Sequence, residues 1–405
     1  MRLLPVLALV LLAGCAPDKP ADVLEAENRL PETIDFNYHV RPILSDRCFA
    51  CHGPDANKRE AGLRLDLEEQ AKAELTESPG KYAIVNGKPG RSMLFHRIVS
   101  DDPETQMPPP ESNLALTADE KAILIRWIEQ GAVYKPHWAF ILPEKPAPPA
   151  ADDSARVRNE IDAFVLSRLE REGLTPAPEA SRETLIRRVT FDLTGLPPTI
   201  EEIDAFLADD APGAYERVAD RLLASPAYGE QMASAWLDVA RYADSHGYQD
   251  DGMRNVWPWR DWVIESFNIN QPFDEFVTWQ MAGDLLPNPT KTQLLATAFN
   301  RHHMQSQEGG IVPEEYRVEY VADRVQTVGT AFMGITMQCA RCHDHKYDPV
   351  TQKEYFELFG FFNSVNEFGN IPYSGEAAPT VILPSPEAEE ALVGIQAEIA
   401  ALDAD

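Results

Sequence analysis

The chain has 405 residues, five cysteines and a formal net charge of −29. That length predicts two or three domains, and an apolar fraction of 44% is enough for a sizeable buried core. A surface this negative repels phosphate backbones, which excludes nucleic acid as a partner and leaves solubility as the ordinary reason for the charge.

Residues 1–15 read as a targeting segment. Arg2 supplies a positive charge and Leu3 to Leu12 form an apolar run, too short to span a bilayer. The run ends in Leu12-Ala13-Gly14-Cys15, which resembles a bacterial lipobox. Cleavage before Cys15 would leave that thiol lipidated. The expected location is therefore outside the cytoplasm, in the periplasm or at the cell surface, with a lipid anchor in the membrane. The alternative is an ordinary secretory signal with an incidental cysteine. Residues 16–29, with Pro17 and Pro20, read as a flexible tether.

A first domain is expected over residues 30–135. Pro42 suits the first turn of a helix, and Ile43 and Leu44 lead into Cys48-Phe49-Ala50-Cys51-His52. Two thiols so spaced can each add across a haem vinyl group, and the next residue places an imidazole beneath the iron. Zinc also uses Cys-x-x-Cys but needs four ligands in one tetrahedron, which leaves the adjacent histidine unexplained. Gly53-Pro54 turns the chain away. Met107, in a stiff loop with Pro108, Pro109 and Pro110, is the candidate sixth iron ligand. Met93 reads as core and His96 as a packed surface histidine. Thr117 and Glu120 form a capping box for a helix that Gly131 ends. A helix before the haem and another at the domain end is the order of a small cytochrome c.

Residues 136–156 are rich in proline and alanine and read as a semi-rigid linker. A larger, mostly helical domain is expected over 157–384. Ile161, Phe164, Val165 and Leu169 form an apolar stripe, and Ile203–Leu207 and Val218–Leu223 suggest further helices. Between them, Asp192 to Pro198 reads as a turn. The tryptophans from Trp236 to Trp279 read as a large core, with a sugar-binding groove as the alternative. Val318, Val321, Val325, Val328, Phe332, Ile335 and Cys339 step by threes and fours, predicting one unbroken helix that starts near Pro313. It leads into a second motif, Cys339-Ala340-Arg341-Cys342-His343. Candidates for the distal ligand there are His303, Met304 and His246, while His345 is too close in sequence to reach the far face of the same haem. Residues 385–405 begin a helical pattern without a stop signal, the expectation for a truncated gene or fragment.

Together these residues resemble a known family. Val40, Pro42, Ile43 and Leu44, the run Cys48–Gly53, and Met107-Pro108-Pro109 resemble the planctomycete-type cytochrome c domain. Leu185 to Pro198, Trp236 to Ser245, Glu308-Gly309-Gly310 and Cys339 to Pro349 resemble the larger domain that follows it in multi-haem surface proteins. The resemblance implies ligation at His52 and Met107, and attachment at Cys339 and Cys342 with His343 proximal. It implies no substrate.

The expected fold is mainly α: a small cytochrome c-like helical domain plus a larger, mostly helical domain carrying the second motif. The expected function is a dihaem c-type cytochrome, with haem c bound covalently at Cys48, Cys51, Cys339 and Cys342, passing electrons to an unidentified redox partner. One rival is a haem-dependent, peroxidase-like oxidoreductase with an open second iron. The other is a surface module whose tryptophans engage polysaccharide.

Overall fold

The structure is a computed structural model that describes residues 18–150, 156–374 and 376–402. Cys15 and the rest of the targeting segment lie outside the described residues. The fold is mainly α, and among the described residues β-structure is limited to isolated bridges such as Gly247–Gln305. The helices are α1 Ala21–Glu27, α2 Arg41–Arg47, α3 Phe49–His52, α4 Glu68–Ala71, α5 Met93–Ile98 and α6 Ala118–Glu129. They continue as α7 Glu160–Arg171, α8 Arg182–Thr194, α9 Ile200–Ala208, α10 Ala214–Leu223, α11 Pro226–Val239 and α12 Trp257–Asn268. The last are α13 Phe273–Ala282, α14 Lys291–Ala296, α15 Pro313–Val328, α16 Gln352–Phe362 and α17 Pro386–Leu402.

Packing divides the chain into two compact units. One holds the residues up to Leu142 together with Ile335–Glu357, and the other holds Pro143–Gly334 together with Leu358 onward. The segment bearing the second motif thus packs with the first unit.

In the first unit α1 lies on α6. Val23 and Ala26 are wholly buried, as are Ile125 and Ile128 of α6. Ion pairs Lys19–Glu129 (2.7 Å) and Arg29–Asp119 (2.9 Å) flank the contact. The stretch read as a tether is therefore corrected: from Ala21 it is a packed helix, because Val23 and Ala26 share a face at i, i+3 spacing. α6 starts with the expected capping box between Thr117 and Glu120. Its Trp127 meets Phe36 and Tyr134 in a cluster of tilted and edge-on rings. The linker reading is also amended at its start, since His137 is 6% exposed and belongs to this unit.

In the second unit Ile186, Phe206 and Ala214 form a small core joined by Ile203 and Val218, where α8, α9 and α10 meet. α8 runs through Asp192 to Thr194, and Gly195 ends it in the left-handed region at φ +68°. That trims the expected turn from its start. α7 forms as expected, but the stripe reading is corrected: it buries Ala163 and Leu166, while Ile161, Phe164 and Val165 are exposed.

The long helix is also corrected. α15 stops at Val328, a wider helical turn covers Gly329–Met333, and Gly334 caps it at φ +64°. An L side chain is strained at that angle, so the break falls on glycine. The division between the two units falls at the same point. Phe332, Ile335 and Cys339 keep helical spacing in sequence without sharing a helix.

Candidate functional site

The first motif is built by two short helices in series. Pro42 sits in the first turn of α2, and the Cys48 amide donates to the Leu44 carbonyl at 2.8 Å. Cys48 leaves helical geometry at φ −124°, and α3 restarts as a single turn. Within it the amides of Cys51 and His52 both donate to the Cys48 carbonyl, at 3.1 and 2.8 Å. Phe49, 3% exposed, anchors the turn in the core. A Cβ on Gly53 would lie 2.4 Å from the Phe49 carbonyl, so only glycine lets the chain leave His52 this way. The returning chain then caps the turn. Glu60 and Leu65 donate their amides to the carbonyls of Cys51 and His52, each at 2.8 Å.

The electrostatics differ across the motif. Burial, aided by Glu120, pushes the Cys48 thiol up to about 12 against the opposing Arg47. Cys51 is exposed. Burial also holds the His52 imidazole below its usual range, with Glu60 opposing and the Arg97 guanidinium adding to the effect. Nδ1 of His52 is buried and has no hydrogen-bond partner. A neutral imidazole fits a proximal iron ligand, since a metal binds through an unprotonated ring nitrogen.

The candidate Met107 sits in a loop fixed to α5. Its amide donates to the Arg97 carbonyl at 2.9 Å, and Arg97 Nη1 donates to the Thr105 carbonyl at 3.3 Å. Arg97, the residue that holds this loop, thus also acts on His52. Met93 starts α5 half-buried, and His96 lies on the surface with Nε2 on the Gly90 carbonyl at 2.9 Å.

The second motif repeats the first turn. Cys342 and His343 donate their amides to the Cys339 carbonyl at 3.2 and 3.4 Å, within a tight turn over Gln338–Arg341. Cys339, Cys342 and His343 are all exposed. Nδ1 of His343 pairs with the Asp344 carbonyl at 2.8 Å. A carbonyl there requires the proton on Nδ1, which leaves the Nε2 lone pair for a metal. Neither pair of cysteines is bridged. No group of three or more His, Cys, Asp or Glu side chains converges as a metal ion would require, among the described residues. A four-ligand zinc site joining the motifs is therefore not formed there, whereas both turns fit haem attachment through two thioethers.

His345 is not positioned as a ligand. Its Nδ1 accepts the amides of Tyr347 (3.1 Å) and Asp348 (2.8 Å), and Nε2 donates to Thr336 Oγ1 at 3.1 Å. Thr336 in turn donates to Asp348 Oδ2 at 3.2 Å. The loop behind the motif is closed on itself.

The remaining distal candidates lie in the second unit. His303, 1% exposed, is stacked on Tyr320 with ring centroids 4.4 Å apart. Its Nδ1 donates to the Met304 carbonyl at 3.0 Å and Nε2 accepts from Arg324 Nη2 at 2.8 Å. Both nitrogens are thus engaged. Arg324 grips both oxygens of Glu367, and Arg301 Nη1 adds a third contact at 2.8 Å. Burial alone would raise the Glu367 carboxyl, but the neighbouring His303 ring and the Arg324 guanidinium hold it down to about 2. Burial pushes His303 down to about 4, with Arg324 adding to it. Met304 is half exposed and packs over Gly247, whose φ of +88° and missing Cβ give it room. His246 is 6% exposed with Nδ1 unpartnered.

Several residues of these sites carried no sequence signal. Asp348, Arg324 and Glu367 look like ordinary charges until the fold pairs them. His302 is 2% exposed and stands edge-on to Trp259 at 4.2 Å. Neither of its ring nitrogens is in hydrogen-bond geometry, although the Ala240 carbonyl opposes the lowering of its pKa by burial. Trp236, Trp259 and Trp262 join Phe276, Phe299 and Phe332 in an aromatic core. Only Trp257 of the five is half exposed.

Cysteine chemistry offers a direct check. At pH 8 the thiolate of Cys48 is scarce, and the thiolate is the nucleophile. In haem-free protein, iodoacetamide is expected to modify Cys51, Cys339 and Cys342 at least tenfold faster than Cys48. Peptide mapping that finds all four modified at one rate would show that the first turn is open in solution.

Residues 48–111 match the family described as Planctomycete cytochrome C, and residues 160–367 match the family described as a protein of unknown function, DUF1549. No curated protein and no solved structure matches the chain.

Proposed function

Because the chain belongs to the DUF1549 family and carries a planctomycete cytochrome c domain ahead of that region, we propose that it is a dihaem electron-transfer protein, exported and lipid-anchored. The cytochrome c domain makes it a c-type cytochrome, with covalent haem c. The observation that carries the second haem is the repeated turn. At Cys48 and again at Cys339, the carbonyl of the first cysteine accepts the amides of the second cysteine and of the histidine. Cys48, Cys51 and His52 would hold one haem, with Met107 as its sixth ligand. Cys339, Cys342 and His343 would hold the other. Bound iron supplies one-electron chemistry, and a His/Met pair stabilises its reduced form.

The chain's own groups define what the sites do. The half-buried, neutral His52 is held by a capped turn, which favours a fixed coordination with little rearrangement. The exposed His343 turn places the second site where a soluble partner can reach it. The membrane anchor rests on the lipobox-like Leu12 to Cys15, and the redox partner is a protein of unspecified identity.

A second reading is supported by His303 and His345, whose ring nitrogens are all engaged. If Met304 and His246 also stay off the second iron, it would keep an open position and act as a peroxidase-like oxidoreductase centre. Polysaccharide binding has less support, because Trp236, Trp259 and Trp262 are spent on the aromatic core.

Intact mass and a pyridine haemochrome assay on exported protein test the proposal together. The expected result is two covalent haems per chain and a diacylglyceryl mass at Cys15. One haem, or a mature chain without lipid, would remove the corresponding part. Carbon monoxide added to the reduced protein separates the two readings. No Soret shift fits pure transfer, and a shift in half of the haem favours the enzyme.

A further inference from the structure

The flanks of the second motif are tied to the residues that build the first. Arg41 opens α2, the helix that runs into Cys48, and its Nη2 donates to the Tyr347 carbonyl at 2.8 Å. Tyr347 lies four residues past His343. His137, which follows α6, takes the Ala139 amide on Nδ1 at 3.3 Å and so presents Nε2–H to Asp348 Oδ1 at 3.2 Å. The other oxygen of Asp348 accepts from Thr336, which stands ahead of Cys339, and Thr336 accepts from His345 beyond it. One carboxylate therefore braces both sides of the second motif and receives a donor from the cytochrome domain. Arg41 is buried enough for desolvation to lower its pKa, with Asp348 and then Asp66 opposing. A cation does not take that desolvation cost without partners.

From this clasp we infer that the two motifs form one electron-transfer pair, in which the second haem is the internal redox partner of the first. The inference rests on the reading that both motifs hold haem. Arg41, His137 and Asp348 are positioning residues: they fix where the Cys339–His343 turn stands relative to the Cys48–His52 turn. Matched region and packing diverge here. The DUF1549 match extends over 160–367, yet 335–357 packs with the cytochrome domain. Gly334, at φ +64°, is where the chain changes units.

Two haems in a fixed mutual arrangement couple their Soret transitions and give a two-signed circular dichroism band. The full-length haem-loaded protein is expected to show that band. An Arg41→Gln/Asp348→Asn double variant should lose at least half of it while the haemochrome assay still counts two haems and the far-ultraviolet spectrum is unchanged. Arg41→Lys should retain most of the band. A two-haem wild-type protein without the band would overturn the inference, as would a two-haem double variant with the band intact. If the double variant does not fold, the wild-type spectrum decides alone. A count of one haem would instead strike the dihaem reading itself, and the two failures are told apart by the haemochrome result.

Discussion

Serine in place of both Cys48 and Cys51 is expected to remove one of the two covalent haems proposed for the chain. A hydroxyl group does not add to a haem vinyl as a thiol does, and His52 alone offers only a dissociable bond. The Soret absorbance per chain should fall by about half, and the band carrying the higher potential should vanish with it, since a thioether opposite histidine raises the potential. The matching change at Cys339 and Cys342 should remove the other haem and leave the high-potential one. Acid acetone extraction followed by mass spectrometry reads the outcome. A doubly substituted first motif that still holds two unextractable haems would refute the assignment.

Glu367→Gln should be the most damaging single change in the second unit. The carboxylate and the Arg324 side chain are each 1% exposed, and Arg301 is 16% exposed. Removing one member of a buried ion pair leaves charge without compensation, at a cost of about 3–5 kcal/mol. Urea unfolding of the haem-loaded protein, followed by tryptophan fluorescence, measures it. A loss below about 1 kcal/mol would mean that the network is solvated in a way its burial does not suggest.

The same network sets an acid limit. The folded His303 titrates near 4 while an unfolded histidine titrates near 6.5, so the unfolded state binds the extra proton between those values. Stability from this group is whole above about 6.5 and is lost as the pH falls towards 4. Glu367 acts in the same direction lower down, from the usual 4.5 to about 2. The Gln variant should lose the lower part of that dependence and keep the part above pH 4.5.

What sequence reading could see depended on how local the cause was. The tight turns at the two Cys-x-x-Cys-His runs, the proline in the first turn of α2 and the Thr117–Glu120 box each act within a few residues, and each forms in the fold. The helix over 318–339 failed because apolar spacing reports a possible face and says nothing about φ. Gly334 takes the left-handed angle and ends the face. α1 escaped notice because two buried side chains, Val23 and Ala26, are too short a pattern to outweigh two prolines. The stripe on α7 has the right period but stays in solvent, and the buried face is the one that carries Ala163 and Leu166. His303 was singled out from its neighbours in sequence, and only tertiary structure brings Arg324 and Glu367 to claim it. His137 was hidden in a proline-rich segment, where nothing local distinguishes a docked histidine from a linker residue.

The unequal shielding of the four thiols gives the chain two schedules of maturation. Cys51, Cys339 and Cys342 stand open to an assembly enzyme even in a finished fold, but Cys48 rests against a packed interior and keeps its proton. A haem proposed for the second turn could be welded to a folded chain. If both turns take haem as proposed, the first would have to receive it before the surrounding helices close, and premature folding would leave the chain half-loaded, always lacking the same cofactor.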